Sequence, residues 1–314
     1  MNNFSFEIKG KSYYDFLCGR VKVLETYLLD VDTLIALKNK DFQSFVSTLQ
    51  GYPYKKYISK IDFPEVRKAI FKRREEEFEE FSKFGLEPFI NVFLRSANYF
   101  LLVKKAYLGY EVGDNFKEFL LKGVGSYPKH FYECFSDLKK NKYPSYLIPI
   151  VIDSYYLSFL VDYAKLTKSP FIEEYYQSFT EAILIQILMR SYSFLNIGFL
   201  KEDEFLKIVE FLKQKFQNVS IIKVIDSVSS FTRMVNTQKY FYREKSLSEN
   251  WEVLTQEILK SILFKGKYFN EGIEPIFVYL LKLNAETSVL QKLAYALYYG
   301  LETSDISELE LVYE

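Results

Sequence analysis

Residues able to carry chemistry are few in this chain, and their spacing decides what each could do. Gly10-Lys11-Ser12 has the ending of a phosphate-binding loop. That loop also needs a glycine five residues ahead of its second glycine and a strand before it, yet Ser5 stands at that position and no strand pattern precedes it. Nucleotide binding is not expected there. His130 is the single histidine, which excludes HExxH zinc sites, paired Glu-x-x-His di-iron sites and multi-histidine cages. It could activate Cys134, four residues on and able to face it across a helical turn. Set between Tyr127-Pro128-Lys129 and Phe131-Tyr132, it reads first as an interfacial side chain.

The run Lys72-Arg73-Arg74-Glu75-Glu76-Glu77-Phe78-Glu79-Glu80 is dense enough in carboxylates to suggest a Mg²⁺ site of the kind that acts on prenyl diphosphates. Its spacing favours another reading. Lys72 with Glu76 and Arg73 with Glu77 are i,i+4 pairs, the pattern of a solvated, self-supporting helix face. Lys239-Tyr240-Phe241-Tyr242-Arg243 interleaves basic and aromatic side chains, which could stack on single-stranded nucleic acid or anchor a loop on a helical body. No catalytic, cofactor-binding or metal-ligating set is expected.

Composition narrows the function classes further. Forty-one basic residues balance 41 acidic ones over 314 residues, so no global field draws the chain to nucleic acid or to an anionic membrane. With 49% apolar residues it folds around a real core without staples. Cys18 and Cys134 form no CxxC pair and fit a reducing cytoplasm. The opening MNNFSFEIKGK lacks the basic and apolar regions of a secretory signal, so none is expected. Of the most apolar windows, Leu147 to Ala164 is interrupted by Asp153 and Asp162, and Ala182 to Met189 is too short to span a bilayer.

The elements that would position these residues are helices. Apolar residues recur at three- and four-residue spacing, as in Leu17, Val21, Leu24 and Leu28, with no sustained period of two, and the fold class is all-α. Ser169-Pro170 reads as an N-cap and first-turn pair, and Glu87-Pro88 and Glu274-Pro275 as equivalent starts with an anion near the helix dipole. Helices are expected at roughly 12–30, 64–83, 88–108, 146–167, 170–195, 203–217, 248–264 and 275–299, with a short one over Asp41 to Leu49.

Repetition is the most informative pattern. Phe84-Gly85-Leu86-Glu87-Pro88-Phe89 and Glu271-Gly272-Ile273-Glu274-Pro275-Ile276 open two long helices that run to Gly109 and Gly300. More loosely, Ile90-Asn91-Val92-Phe93-Leu94-Arg95-Ser96 overlays Ile185-Gln186-Ile187-Leu188-Met189-Arg190-Ser191.

Two segments resemble a known family. Arg20-Val21-Lys22-Val23-Leu24-Glu25-Thr26-Tyr27-Leu28-Leu29, then Leu34 to Leu37, Phe42 to Leu49 and the Tyr52-Pro53-Tyr54 turn, resemble the opening of the C-type central-stalk protein of V/A-type rotary ATPases, the family that includes the d-type protein of eukaryotic V-ATPases. Gly272 to Pro275, Val278-Tyr279-Leu280-Leu281-Lys282-Leu283-Asn284-Ala285-Glu286, Lys292 and the closing Gly300 to Ile306 resemble that family's ending. The resemblance spans nearly the whole length, with strong ends and a weaker match from about Gly109 to Leu247.

The resemblance implies three similar helical subdomains, at about 1–110, 111–210 and 211–314, arranged round a pseudo-threefold axis as a funnel. It implies a non-catalytic central-stalk subunit on the cytoplasmic face of the membrane, seated on the proteolipid rotor ring and receiving the shaft, with no cofactor. Helix starts near Pro88, Pro170 and Pro275 would then gather at one end of the funnel. Two other readings remain open: a helical-repeat adaptor binding soluble partners, and a helical prenyl-diphosphate enzyme with Glu75, Glu76, Glu79 and Glu80 lining a pocket.

Overall fold

The computed structural model describes residues 7–110, 128–223, 225–237 and 259–303. Every regular element among them is helical and none is a strand, as the apolar spacing predicts. No helix among the described residues is long and apolar enough to cross a membrane. The run Lys239 to Arg243, much of the helix expected at 248–264 and the closing Ser304 to Ile306 lie outside the described residues.

The chain packs as two compact units. Of the described residues, one unit, the end unit, takes those up to Leu94 and again from Lys260; the other, the central unit, runs from Arg95 to Leu259.

The end unit begins with α1 (Asp15–Glu25), α2 (Val31–Lys38), α3 (Phe42–Leu49), α4 (Phe63–Phe81) and the short α5 (Glu87–Ile90). Three of these start on an aspartate whose carboxylate takes an otherwise unpaired backbone amide: Asp30 from Thr33, Asp41 from Ser44 and Asp62 from Glu65, at 2.7 to 2.9 Å. Each such cap is worth about 1 kcal/mol. The first helix is shorter than its periodicity predicts. The Thr26 hydroxyl donates back to the Val23 carbonyl at 2.7 Å, and the Leu29 amide is claimed by a distant carboxylate, so the helical ladder stops at Glu25. The helix expected over 88–108 is likewise interrupted by a π-helical turn, Asn91–Arg95.

The central unit holds α6 (Ser96–Tyr107), α7 (Lys129–Lys140), α8 (Ile148–Leu166), α9 (Pro170–Asn196), α10 (Glu202–Lys215), α11 (Ser220–Lys223) and α12 (Val228–Thr237). Its middle is α8, which packs against α6, α7 and α9. Phe100 lies 4.4 Å from Phe131 and 6.0 Å from Phe159, ring centre to ring centre, and ties three of these helices together. The last helix, α13 (Glu274–Tyr299), returns to the end unit and packs chiefly along α4. Val289, Leu290, Leu293 and Ala294 of α13 join Leu34, Leu37, Phe45, Val46, Val66 and Ile70 in one core. Burying each larger side chain there contributes roughly 1.5–3 kcal/mol.

The sequence repeat has a backbone counterpart. Gly85 and Gly272 both sit at positive φ, 75° and 90°, three residues ahead of Pro88 and Pro275. In the end unit these two helix starts are neighbours, with the Phe89 ring 6.0 Å from Phe277. Ser169 caps α9 as expected, accepting from the Ile172 amide; that start belongs to the central unit. α6, α9 and α13 each close on a left-handed glycine, Gly109, Gly198 and Gly300, with φ between 65° and 80°. In each the next amide donates to the carbonyl five residues back: Tyr110 to Lys105, Phe199 to Phe194 and Leu301 to Ala296, at 2.8 to 2.9 Å.

Candidate functional site

The residues singled out for chemistry are each taken up by contacts within their own unit. Lys11 belongs to a 3₁₀ turn, Lys11–Tyr14, and pairs with Glu271 at 2.8 Å. His130 Nε2 lies 3.0 Å from Asp162 Oδ2 and its ring packs on Phe159. Cys134 is buried, and burial first, then the Asp137 carboxylate, push its thiol up to about 12. At neutral pH it is a protonated core side chain rather than a nucleophile.

Three carboxylates of α4, Glu75, Glu76 and Glu80, each have basic partners of their own. Glu76 lies 3.9 Å from Lys72, as its spacing predicts, 3.0 Å from Lys56, and accepts from the Tyr57 hydroxyl. Glu75 pairs with Arg74 at 2.8 Å, and Glu80 with Lys83 and Arg20. A divalent cation needs several of these oxygens on one centre. Among the described residues, no three His, Cys, Asp or Glu side chains are grouped to hold one.

Arg73 departs from its expected i,i+4 pairing. It turns into the core and leaves Glu77 half-buried, its Oε2 without a hydrogen-bond partner. Burial raises the Glu77 pKa against the pull of Arg73 and Arg20.

Inside the end unit, Arg73 meets Glu286 of α13, 2.6 Å from Nη1 to Oε1, with the two side chains 3% and 0% exposed. The Tyr54 hydroxyl donates to the same oxygen at 2.5 Å, and the Leu29 amide donates to Oε2 at 2.6 Å. Arg73 Nη2 donates to the Tyr27 carbonyl at 2.9 Å, while its guanidinium stacks 4.6 Å from the centre of the Tyr54 ring. Burial and the Glu286 charge hold the Tyr54 phenol well above its ordinary pKa, so it donates at all physiological pH. Both ends of the chain are thereby tied to one sealed ion pair. Of the guanidinium nitrogens only the buried Nε has no hydrogen-bond partner, and the role of the pair is positional.

The central unit has two open clefts. A cleft of about 480 Å³ is lined by Tyr146, Pro149, Ile150, Phe194, Phe199 and Leu200, with Lys104, Asp153 and Arg190 as its charged members. Lys104 and Asp153 are 2.5 Å apart and remain 25% and 29% exposed. Burial raises the Asp153 pKa, and Lys104 opposes it. A second cleft, about 470 Å³, is polar, with Asp162, Thr180, Glu181, Lys215 and Asn218 on its walls.

Arg73 and Glu286 were legible as charges set on apolar stripes. Arg73 continues the row Val66, Ala69, Ile70 on α4, and Glu286 stands between Leu283 and Leu290 on α13. Opposite charges on two buried faces are the signal that local pairing rules pass over. In comparison with known proteins, no family model matches the sequence and no curated protein is significantly similar to it.

Proposed function

We propose that this chain is a non-catalytic coupling subunit of a V/A-type rotary ATPase, seated on the proteolipid ring at the cytoplasmic face and passing torque between ring and shaft. The observation that carries the reading is the paired helix start Gly85-Leu86-Glu87-Pro88 and Gly272-Ile273-Glu274-Pro275, each with its glycine at positive φ and the two neighbours in the end unit, as expected of a family whose members repeat one helical segment. Further support comes from the segments that resemble the family at opposite ends of the sequence. Tyr27, Leu29 and Tyr54 from the first and Glu286 from the second meet around Arg73. A coupler has to be stiff, because a soft adapter stores twist instead of transmitting it, and close-packed helices with a bonded interior meet that demand.

The placement of Glu75, Glu76 and Glu80 against Arg74, Lys56, Lys72 and Lys83 speaks against a carboxylate cage for diphosphate. The test is to tag the chromosomal copy, solubilise membranes in mild detergent and identify what co-purifies by mass spectrometry. Recovery of proteolipid and shaft subunits is the expected result; soluble, unrelated partners alone would overturn the reading in favour of an adaptor.

A further inference from the structure

The polar cleft of the central unit carries charges that the chain itself leaves unanswered. It measures about 470 Å³ and is walled by α8, α9 and the end of α10 with the four residues that follow it. Its charged side chains are Asp162, Lys165, Glu181 and Lys215, and they divide in two. Asp162 and Lys165 lie one turn apart on α8 and meet at 3.2 Å, and Asp162 also holds His130 at 3.0 Å. Glu181 of α9 and Lys215, the last residue of α10, have no such partners. No described residue hydrogen-bonds to Glu181 or pairs with it, and burial raises its pKa. Lys215 lies 3.4 Å from the centre of the Tyr155 ring; burial lowers its pKa, and Asp137 and Glu133 attract it from beyond pairing distance.

A half-buried charge without a counter-charge costs free energy. A direct Glu181–Lys215 contact would relieve both, yet the two face the same cleft from different helices without pairing. A lone cation would answer Glu181 and leave Lys215 as it was, and a lone anion would do the reverse. A molecule carrying both charges answers both. The other walls suit a polar body between its ends: the side chains of Ser158, Gln177 and Asn218 make no hydrogen bond to other described residues, so their donors and acceptors remain for an occupant. The volume lies within the range of small-molecule sites.

We propose that this cleft binds a small zwitterion, with its amine at Glu181 and its acid group at Lys215. The inference goes beyond the coupling reading and does not rest on it.

The test is isothermal titration of the full chain at neutral pH with the common L-amino acids and with the ω-amino acids from β-alanine to ε-aminocaproate, a series of lengthening separation between amine and acid. At least one of these should bind, and its deaminated and decarboxylated counterparts, with one charge each, should bind about tenfold or more weakly, the loss of one charge-assisted hydrogen bond. Glu181→Gln and Lys215→Met should each weaken the same zwitterion by about tenfold or more, with helical circular dichroism unchanged. In the ligand-free chain Glu181→Gln should melt no lower than wild type, because the carboxylate has no protein partner to lose. No binding across the series, single-charge compounds that bind as tightly as the zwitterion, affinity unchanged in either variant, or a lower melting temperature for ligand-free Glu181→Gln would each overturn the proposal.

Discussion

Two ion pairs, one in each unit, make opposite use of the same chemistry. Arg73–Glu286 is sealed in the end unit, with a phenol, a backbone amide and a backbone carbonyl bonded to it. Lys104–Asp153 stands at a cleft, a quarter or more exposed, and has solvent for a neighbour. Desolvation separates them. A buried pair holds its geometry because either partner alone is intolerable there, while a half-exposed pair is screened and free to exchange partners. A sealed pair braces a fold; an open one is available to a ligand.

The largest effect that bears on this contrast is the loss of Glu286. Glu286→Ala strands the Arg73 charge, the Tyr54 hydroxyl and the Leu29 amide together, and should cost about 3–5 kcal/mol of unfolding free energy in urea titrations. The companion variant Arg73→Met/Glu286→Leu should recover most of that, because no charge is left buried. If the double variant is as unstable as Glu286→Ala, the pair is contributing packing and not charge balance.

Each unit also carries its own reporter. Cys18 and Cys134 are both buried, in the end and central units respectively. In native-state thiol labelling, Glu286→Ala should speed reaction at Cys18 by about a hundredfold to a thousandfold while moving Cys134 far less, if the units open separately. Equal acceleration would mean that the two units unfold as one.

Lys104→Ala should cost no more than about 1 kcal/mol in the same urea titration, the scale of an exposed pair. A loss approaching that of Glu286→Ala would dissolve the distinction.

The smallest effect is a change of slope. Burial raises the Glu77 pKa in the folded chain, so between its unfolded and folded values the native state binds the extra proton, and stability falls as pH rises through that window. Glu77→Gln should flatten that part of the stability–pH profile, measured by urea unfolding from pH 4 to 8. A profile unchanged by the substitution would place Glu77 in solvent.

Much of the architecture was legible because its causes are local. The caps at Asp41 and Ser169, the starts at Pro88, Pro170 and Pro275 and the stops at Gly109 and Gly300 follow from which residues satisfy helix ends within four or five positions. The misreadings come where a distant group intervenes. The helix expected to reach residue 30 ends at Glu25, since the Leu29 amide serves Glu286. Arg73 passes over Glu77, since a full charge inside the core gains more from a buried carboxylate than from a half-exposed one.

By itself the sequence determined the helical class and the proline starts and glycine stops of several helices, which depend on backbone sterics and bonds spanning a single turn. Only the tertiary structure decided which charges neutralise one another and which apolar residues stay in water. Arg73 and Glu286 are 213 positions apart, and Phe199 stays exposed beyond the end of α9, which packs against α8 and α10. Hydropathy periodicity tells which face of a helix is apolar; it does not tell what that face meets, because pairing across the core is set by the packing of whole elements.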